Sequence, residues 1–262
     1  MSAADCENGV FAIGAQSLEW RAWGPPDAPR TILLLHEGLG CVGLWLDFPQ
    51  ALADATGARV VAYSRVGYGQ SSPISLPRPL DYMTREAQDV LPRVLDAIGA
   101  DEVLLVGHSD GASIAAIHAG TVQDSRVKGV AMIAPHFFTE PVGLAAIGRA
   151  HDAYRNGDLR EKLARWHAHV DCAFFGWNLA WLDPEFVHWN IEDVLPGIGV
   201  PVCVIQGDAD AYGTLAQVRA VERGVPGRVE THVLPGVGHS PHREAKEELV
   251  AVVRAFVPEA NV

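Results

Sequence analysis

Three residues far apart in the chain carry the side chains that acyl-transfer chemistry needs: the hydroxyl of Ser109, the carboxylate of Asp210 and the imidazole of His239. A serine hydroxyl is a poor nucleophile near neutral pH, so an imidazole must take its proton during attack and return it to the leaving group. His239 is the candidate base. A buried carboxylate then fixes the imidazole's tautomer and stabilises the imidazolium that forms, a role given to Asp210 with Asp208 as the competing carboxylate. Ser109 itself lies in Gly107-His108-Ser109-Asp110-Gly111. In such a Gly-X-Ser-X-Gly pattern the glycines flank a serine held on a turn too tight for neighbouring β-carbons.

The flanking segments supply the elements that such a serine requires. An apolar run from Val103 ends at Gly107, and small residues at Gly111, Ala112, Ala115, Ala116 and Ala119 recur through the helix that follows. Strand, sharp turn and helix together push the Ser109 hydroxyl out of the sheet edge. Asp210 follows the apolar run Val200 to Ile205, and His239 follows the strand expected from Arg228 to Leu234. Upstream, Phe11 to Ile13 and Ser17 to Trp23 read as an antiparallel pair, and Thr31 to Leu35 as a strand covered on both faces that ends in His36-Glu37-Gly38-Leu39-Gly40. A helix from Trp45 to Ala55, despite Pro49, leads to a strand Arg59 to Tyr63; Asp81 caps a helix to Ile98 that Pro92 should kink. Val127 to Ala134 is a further strand, Leu215 to Arg223 a helix, and Glu244 to Phe256 the last helix. Alternating strands and helices imply a parallel sheet with right-handed crossovers, whose strand-ending loops share one edge.

Between His136 and Ile198 the alternation stops and aromatics crowd helix-like segments. A long insertion between two strands reads as a lid over the site, with Phe137, Trp177 and Trp181 as candidate substrate-binding residues.

Composition narrows the class. The chain has 262 residues, 48% hydrophobic, with 20 Lys and Arg against 32 Asp and Glu and a formal charge of -12. That balance disfavours nucleic acid and anionic membrane surfaces as partners. Met1 to Glu7 is polar and acidic where a secretory leader would be basic and then apolar, and no run approaches the ~20 apolar residues of a membrane span, so a cytoplasmic protein is expected. Cys6, Cys41, Cys172 and Cys203 are scattered and read as reduced thiols; neither they nor the histidines show metal-ligand spacing, and no dinucleotide fingerprint is present, so no metal and no cofactor are expected.

In the order Ser109, Asp210, His239, with the Gly107 to Gly111 elbow, the His36-Glu37-Gly38 loop, the Gly207 to Asp210 turn and the late Gly238-His239, the chain resembles the α/β-hydrolase superfamily over essentially its whole length. The resemblance implies an α/β fold with a mostly parallel, doubly wound sheet, a core formed by 1–135 and 199–262, and a helical cap at 136–198. It places the acid three residues after Gly207, favouring Asp210. It implies backbone N–H donors for the oxyanion at Asp110 and Gly38, or at Leu39 if Glu37, standing where His-Gly is commoner, shifts the loop by one. Glu37 then binds a substrate hydroxyl, repels anionic substrates or pairs with Arg65. His36 is expected to brace that loop, His108 and His118 to be structural, and His242 to be a secondary contender for the base.

The reaction implied is hydrolysis of a small or medium-sized, partly apolar carboxylic ester through an acyl-enzyme, with activity falling at low pH as His239 protonates. Carbon-carbon bond hydrolysis of ring-cleavage products can use the same triad, and a hydrolase-like receptor for a small molecule is the alternative from another class. Haloalkane dehalogenases and epoxide hydrolases place Asp at the nucleophile position, where this chain has Ser109. The only partner expected is a small-molecule substrate; nothing in the sequence sets the oligomeric state.

Overall fold

A computed structural model describes residues 6–257. The expectation drawn from Met1 to Glu7 rests mainly on residues 1–5, which lie outside the described residues. One eight-stranded sheet runs in the order β1-β2-β4-β3-β5-β6-β7-β8. The strands are β1 (Glu7–Ile13), β2 (Gln16–Trp23), β3 (Thr31–Leu35), β4 (Arg59–Tyr63), β5 (Val103–His108), β6 (Val127–Ile133), β7 (Val202–Gly207) and β8 (Val229–Leu234). β1 with β2 and β2 with β4 pair antiparallel, and every other pairing is parallel.

The continuous apolar runs become the central strands because helices cover both faces. Every residue of β3, β5 and β7 is buried. Along β3, Leu33 and Leu35 enter one core, shared with the helices α3 (Leu91–Ile98) and α4 (Asp110–Ile117). Ile32 and Leu34 enter the other, with α1 (Phe48–Thr56) and α10 (Lys246–Phe256), as the period-two alternation of a strand demands. Each such side chain contributes roughly 1.5 to 3 kcal/mol on burial.

Several boundaries differ from the sequence expectation for identifiable reasons. α1 begins at Phe48, after a 3-10 turn over Val42–Trp45, so Pro49 falls in the first turn, where its missing N–H is not needed. The helix expected from Asp81 to Ile98 is three pieces: α2 (Tyr82–Arg85), a π turn over Glu86–Val90, and α3, whose first turn contains Pro92. The wide turn is how the chain passes a residue with no N–H to give. Asp81 does not cap; it takes the Arg85 Nε at 2.8 Å. The last helix is broken at Ala245 into α9 (Pro241–Glu244) and α10.

Between β6 and β7 lie α5 (Pro141–Asn156), α6 (Leu159–Leu163), α7 (Val170–Trp181) and two 3-10 turns, Pro184–His188 and Glu192–Gly197; α8 (Leu215–Gly224) follows β7. Aromatic stacking knits the inserted segment: Tyr154 lies on Phe174 at 3.7 Å between centroids, and Phe186 on Trp189 at 5.2 Å. No helix among the described residues is long and apolar enough to cross a membrane. β4 and β5 flank β3 on opposite sides, so the loops ending β3 and β5 diverge and open a crevice at the carboxyl edge of the sheet.

Candidate active site

Ser109 occupies that crevice on a strained turn between β5 and α4. Its φ of 53° and ψ of -119° are a conformation that a residue with a β-carbon adopts at a cost of order 1–3 kcal/mol. Main-chain bonds hold it there: the Ser109 N–H donates to Ile133 O at 2.9 Å, and Ser109 O accepts from Ala112 N–H at 2.8 Å and Ser113 N–H at 3.1 Å. The flanking glycines are required by contact. A β-carbon on Gly111 would strike the carbonyl of Leu35, and one on Gly107 the main chain of Gly111 and Ala112. Helix α4 can therefore press against β3 and β5, leaving the Asp110 N–H at the helix start beside Ser109. The Asp110 carboxylate is turned inward, where Oδ2 accepts from the Tyr82 hydroxyl.

The loop after β8 brings His239 to the carboxylate of Asp210 after β7, with Nδ1 to Oδ2 at 2.8 Å and the Asp210 side chain fully buried. The same Oδ2 accepts from Gln206 Nε2 at 2.7 Å, and Oδ1 accepts from the Tyr212 N–H at 2.7 Å. Burial pushes the Asp210 carboxyl up, but the hydrogen bond and charge of His239 outweigh it and hold the group below its usual range. Asp208 is directed elsewhere: its Oδ1 accepts from the Gly236 N–H at 2.6 Å. Ser109 Oγ makes no hydrogen bond to His239 among the described residues, although both line the same cavity. In uncomplexed sites such contacts are commonly long and tighten on binding.

Behind His239 sits His108, 5.1 Å away between ring centroids. Its Nε2 donates to the His239 carbonyl at 2.7 Å, and its Nδ1 faces the Glu37 carboxylate at 3.5 Å. Of the three roles open for Glu37, this excludes the pairing of its carboxylate with Arg65. Arg65 donates to its main-chain oxygen at 2.9 Å, while its carboxylate turns to His108. Burial pushes the Glu37 carboxyl up, but His108 facing it outweighs that and holds it well below the carboxylate range.

The residues around Ser109 line a partly open cavity of about 180 Å³. Glu37, Gly38, Asp110, Trp177, Trp181 and His239 line it, joined by Leu39, Leu144, Ile147, Tyr212 and His136. Phe137, expected there, is absent from the lining: it is fully buried in the core, with its N–H on Gln217 Oε1 at 2.7 Å. A family model for the alpha/beta hydrolase family matches residues 32–252. The chain belongs to the alpha/beta hydrolase family.

Solved structures of family-like fold agree with that assignment. The chain is similar to a bacterial membrane phospholipase A described as a virulence factor, at 21% identity and a TM-score of 0.81, covering 97% of this chain and 86% of that one. It is similar to the naproxen esterase of Bacillus subtilis at 18% identity and a TM-score of 0.74, covering 97% and 92%. It is similar to the enol-lactonase of Burkholderia xenovorans at 19% identity and a TM-score of 0.74, covering 95% and 99%. At these identities the shared property is the fold.

This alpha/beta hydrolase carries two cavity residues that sequence reading did not single out. His136 lies 5.7 Å from His239 and edge-on to Trp181; burial first, then the neighbouring His239, holds its imidazole down at about 3. Tyr212 packs against the His239 ring at 4.6 Å. Its position two residues after Asp210 was the available signal. His242 does not line the cavity; it is buried against Trp45 and His108, each at 5.1 Å, and burial holds it at about 3. His118, just after α4, donates Nδ1–H to Ala87 O at 2.8 Å, tying that end of the helix to the π turn over Glu86–Val90. Among the described residues no group of three or more His, Cys, Asp or Glu is arranged to hold a metal ion.

Proposed function

We propose that Ser109, His239 and Asp210 are the nucleophile, base and acid of a hydrolase that cleaves a small or medium-sized, partly apolar carboxylic ester through an acyl-enzyme. The carrying observation is the 2.8 Å contact of His239 Nδ1 with a fully buried Asp210 carboxylate, on the cavity that also holds the strained Ser109. With Nδ1–H donated to Asp210, the lone pair of His239 Nε2 is left to take the Ser109 proton as Oγ attacks the ester carbonyl. The tetrahedral oxyanion forms beside the N–H groups of Asp110 and Gly38, each donor contributing about 3 kcal/mol to lowering the barrier. Imidazolium then protonates the departing alcohol, the acyl group stays on Ser109, and a water activated by the same nitrogen releases the acid.

The cavity supports the substrate class. Its volume of about 180 Å³ favours short acyl groups, and Leu39, Leu144, Ile147, Trp177 and Trp181 supply apolar walls. Glu37 and Glu140 line it, as does Asp110, whose carboxylate is turned to Tyr82, and no Lys or Arg does, which favours neutral over anionic esters. The inserted helices α5 and α7 provide most of those walls and are assigned the role of a cap spanning 136–198. The test is Ser109→Ala with short p-nitrophenyl esters and a nitrophenyl phosphonate. Loss of turnover and of labelling is expected, and turnover equal to that of the wild type would sink the reading.

A further inference from the structure

Arg65, just beyond β4, is 1% exposed, and its guanidinium has no carboxylate within ion-pair distance among the described residues. Its Nη groups donate instead to the main chain of the loop after β3. Nη1 donates to His36 O, and Nη2 to Glu37 O at 2.9 Å. The Arg65 backbone N–H donates to His36 Nε2 at 3.0 Å, and the other ring nitrogen, Nδ1, meets Glu37 O at 2.7 Å. An N–H cannot accept, so Nε2 must, and the ring is the neutral Nδ1–H tautomer. Burial, then the charge of Arg65, holds the His36 imidazole well below its usual range, which keeps it in that form.

Glu37 O therefore receives Arg65 Nη2 and His36 Nδ1, and also the Gly40 N–H at 3.1 Å. Three donors converge on one carbonyl. A trans peptide is planar, with C=O and N–H directed oppositely. Pinning the Glu37 oxygen toward the buried Arg65 thus turns the Gly38 N–H to the opposite side, and Gly38 lines the cavity of Ser109. A loop with glycines at 38 and 40 has little conformational preference of its own. Gly38 has no room for a side chain, because a β-carbon would strike the Trp177 indole. The orientation must be imposed from beneath. The buried charge is offset by the Asp110 and Glu86 carboxylates and the Tyr68 ring without a direct ion pair, which leaves its Nη donors for the main chain of this loop.

We propose that Arg65, acting directly and through the neutral His36 ring, is the positioning residue that aims the Gly38 N–H at the oxyanion. The proposal rests on Ser109 being the acyl-accepting nucleophile. It also chooses Gly38 over Leu39 as the second donor, because the pinned peptide is the one between Glu37 and Gly38. Arg65 touches no substrate atom; it supplies the preorganisation on which an oxyanion donor depends.

The test uses Arg65→Met, His36→Asn and His36→Leu with p-nitrophenyl butyrate and with butylboronic acid, whose tetrahedral adduct on Ser109 places an oxygen at the oxyanion position. Arg65→Met is expected to lower kcat by about 10²-fold, the effect of losing one oxyanion donor, with KM within about threefold. The boronate Ki should rise by a comparable factor, a change that a general loosening of the fold does not single out. His36→Asn, whose amide can replace Nδ1–H on Glu37 O, should stay within about tenfold of the wild type, while His36→Leu falls by about 10²-fold. A folded Arg65→Met with wild-type kcat and boronate Ki overturns the proposal. If Arg65→Met does not fold, equal activities of His36→Asn and His36→Leu overturn it. If wild-type Ser109 takes neither phosphonate nor boronate, the triad reading itself fails, a result distinct from the others.

Discussion

Replacing Asp210 by Asn tests the acid assignment through the hydrogen-bond inventory of one side chain. The Asp210 carboxylate accepts from His239 Nδ1 and Gln206 Nε2 on Oδ2 and from the Tyr212 N–H on Oδ1. An asparagine must present an NH2 to one of these sides. The Tyr212 donor is main chain and cannot change; facing it with NH2 leaves two buried donors in conflict. The other side can adapt, because Gln206 can flip its amide to offer Oε1, which is buried without a partner, giving up only the 3.3 Å bond from Nε2 to Gly213 O. His239 then switches tautomer to accept on Nδ1. The proton moves to Nε2, the nitrogen that has to receive the Ser109 proton. A wrong tautomer in an otherwise intact triad costs about 10⁴-fold in kcat, or about 5.4 kcal/mol at 1.36 kcal/mol per decade. Asp208→Asn is the control: its remaining oxygen can keep the Gly236 N–H, so activity should stay within about threefold. The assay is kcat for a short p-nitrophenyl ester, with near-ultraviolet circular dichroism to confirm the fold. Asp210→Asn within tenfold of the wild type, or a larger loss in Asp208→Asn, would refute the reasoning.

Three further outcomes are expected. Gly111→Ala, which drives a β-carbon into Leu35 O, should cost about 1–3 kcal/mol in urea unfolding and remove ester turnover, whereas a wild-type midpoint would show that α4 can retreat without harm. Folded His136 and His242 sit near 3 against about 6.5 unfolded, so above that value neither state gains a proton, and below it only the unfolded chain does. Stability should fall as pH drops from about 6.5 toward 3, by up to about 1.4 kcal/mol per pH unit for each ring, and His242→Phe should flatten the urea-midpoint curve; an unchanged slope would contradict the buried neutral assignment. A succinyl monoester should be cleaved about tenfold less efficiently than a butyryl ester of the same alcohol, with the gap narrowing in salt; equal kcat/KM would show that Glu37 and Glu140 do not set the cavity's charge preference.

What the sequence made legible was what local pattern controls. Buried strands announce themselves by unbroken apolar runs, so β3 and β4 fall on the segments read for them, and the loops of Ser109, Asp210 and His239 follow β5, β7 and β8 to one sheet edge. Side-chain direction was not legible, because it is settled by what packs against each loop. Three roles were open for Glu37, one of them a pair with Arg65; its carboxylate turned to His108, since the guanidinium was drawn to main-chain oxygens that no sequence pattern displays. Phe137 was expected at the cavity, but Gln217 and Ile191 hold its main chain and its ring falls in the core. The π turn before Pro92 likewise arises from the chain's response to a missing donor, which hydrophobic spacing does not report.

The most direct measurement of the central claim is mass spectrometry of the protein quenched during turnover of a short p-nitrophenyl ester, followed by peptide mapping. The account predicts an acyl mass increment on Ser109, accumulating in a burst matched by nitrophenol release and absent from Ser109→Ala. Turnover at the wild-type rate with the acyl group on another residue, or turnover undiminished in Ser109→Ala, would contradict it.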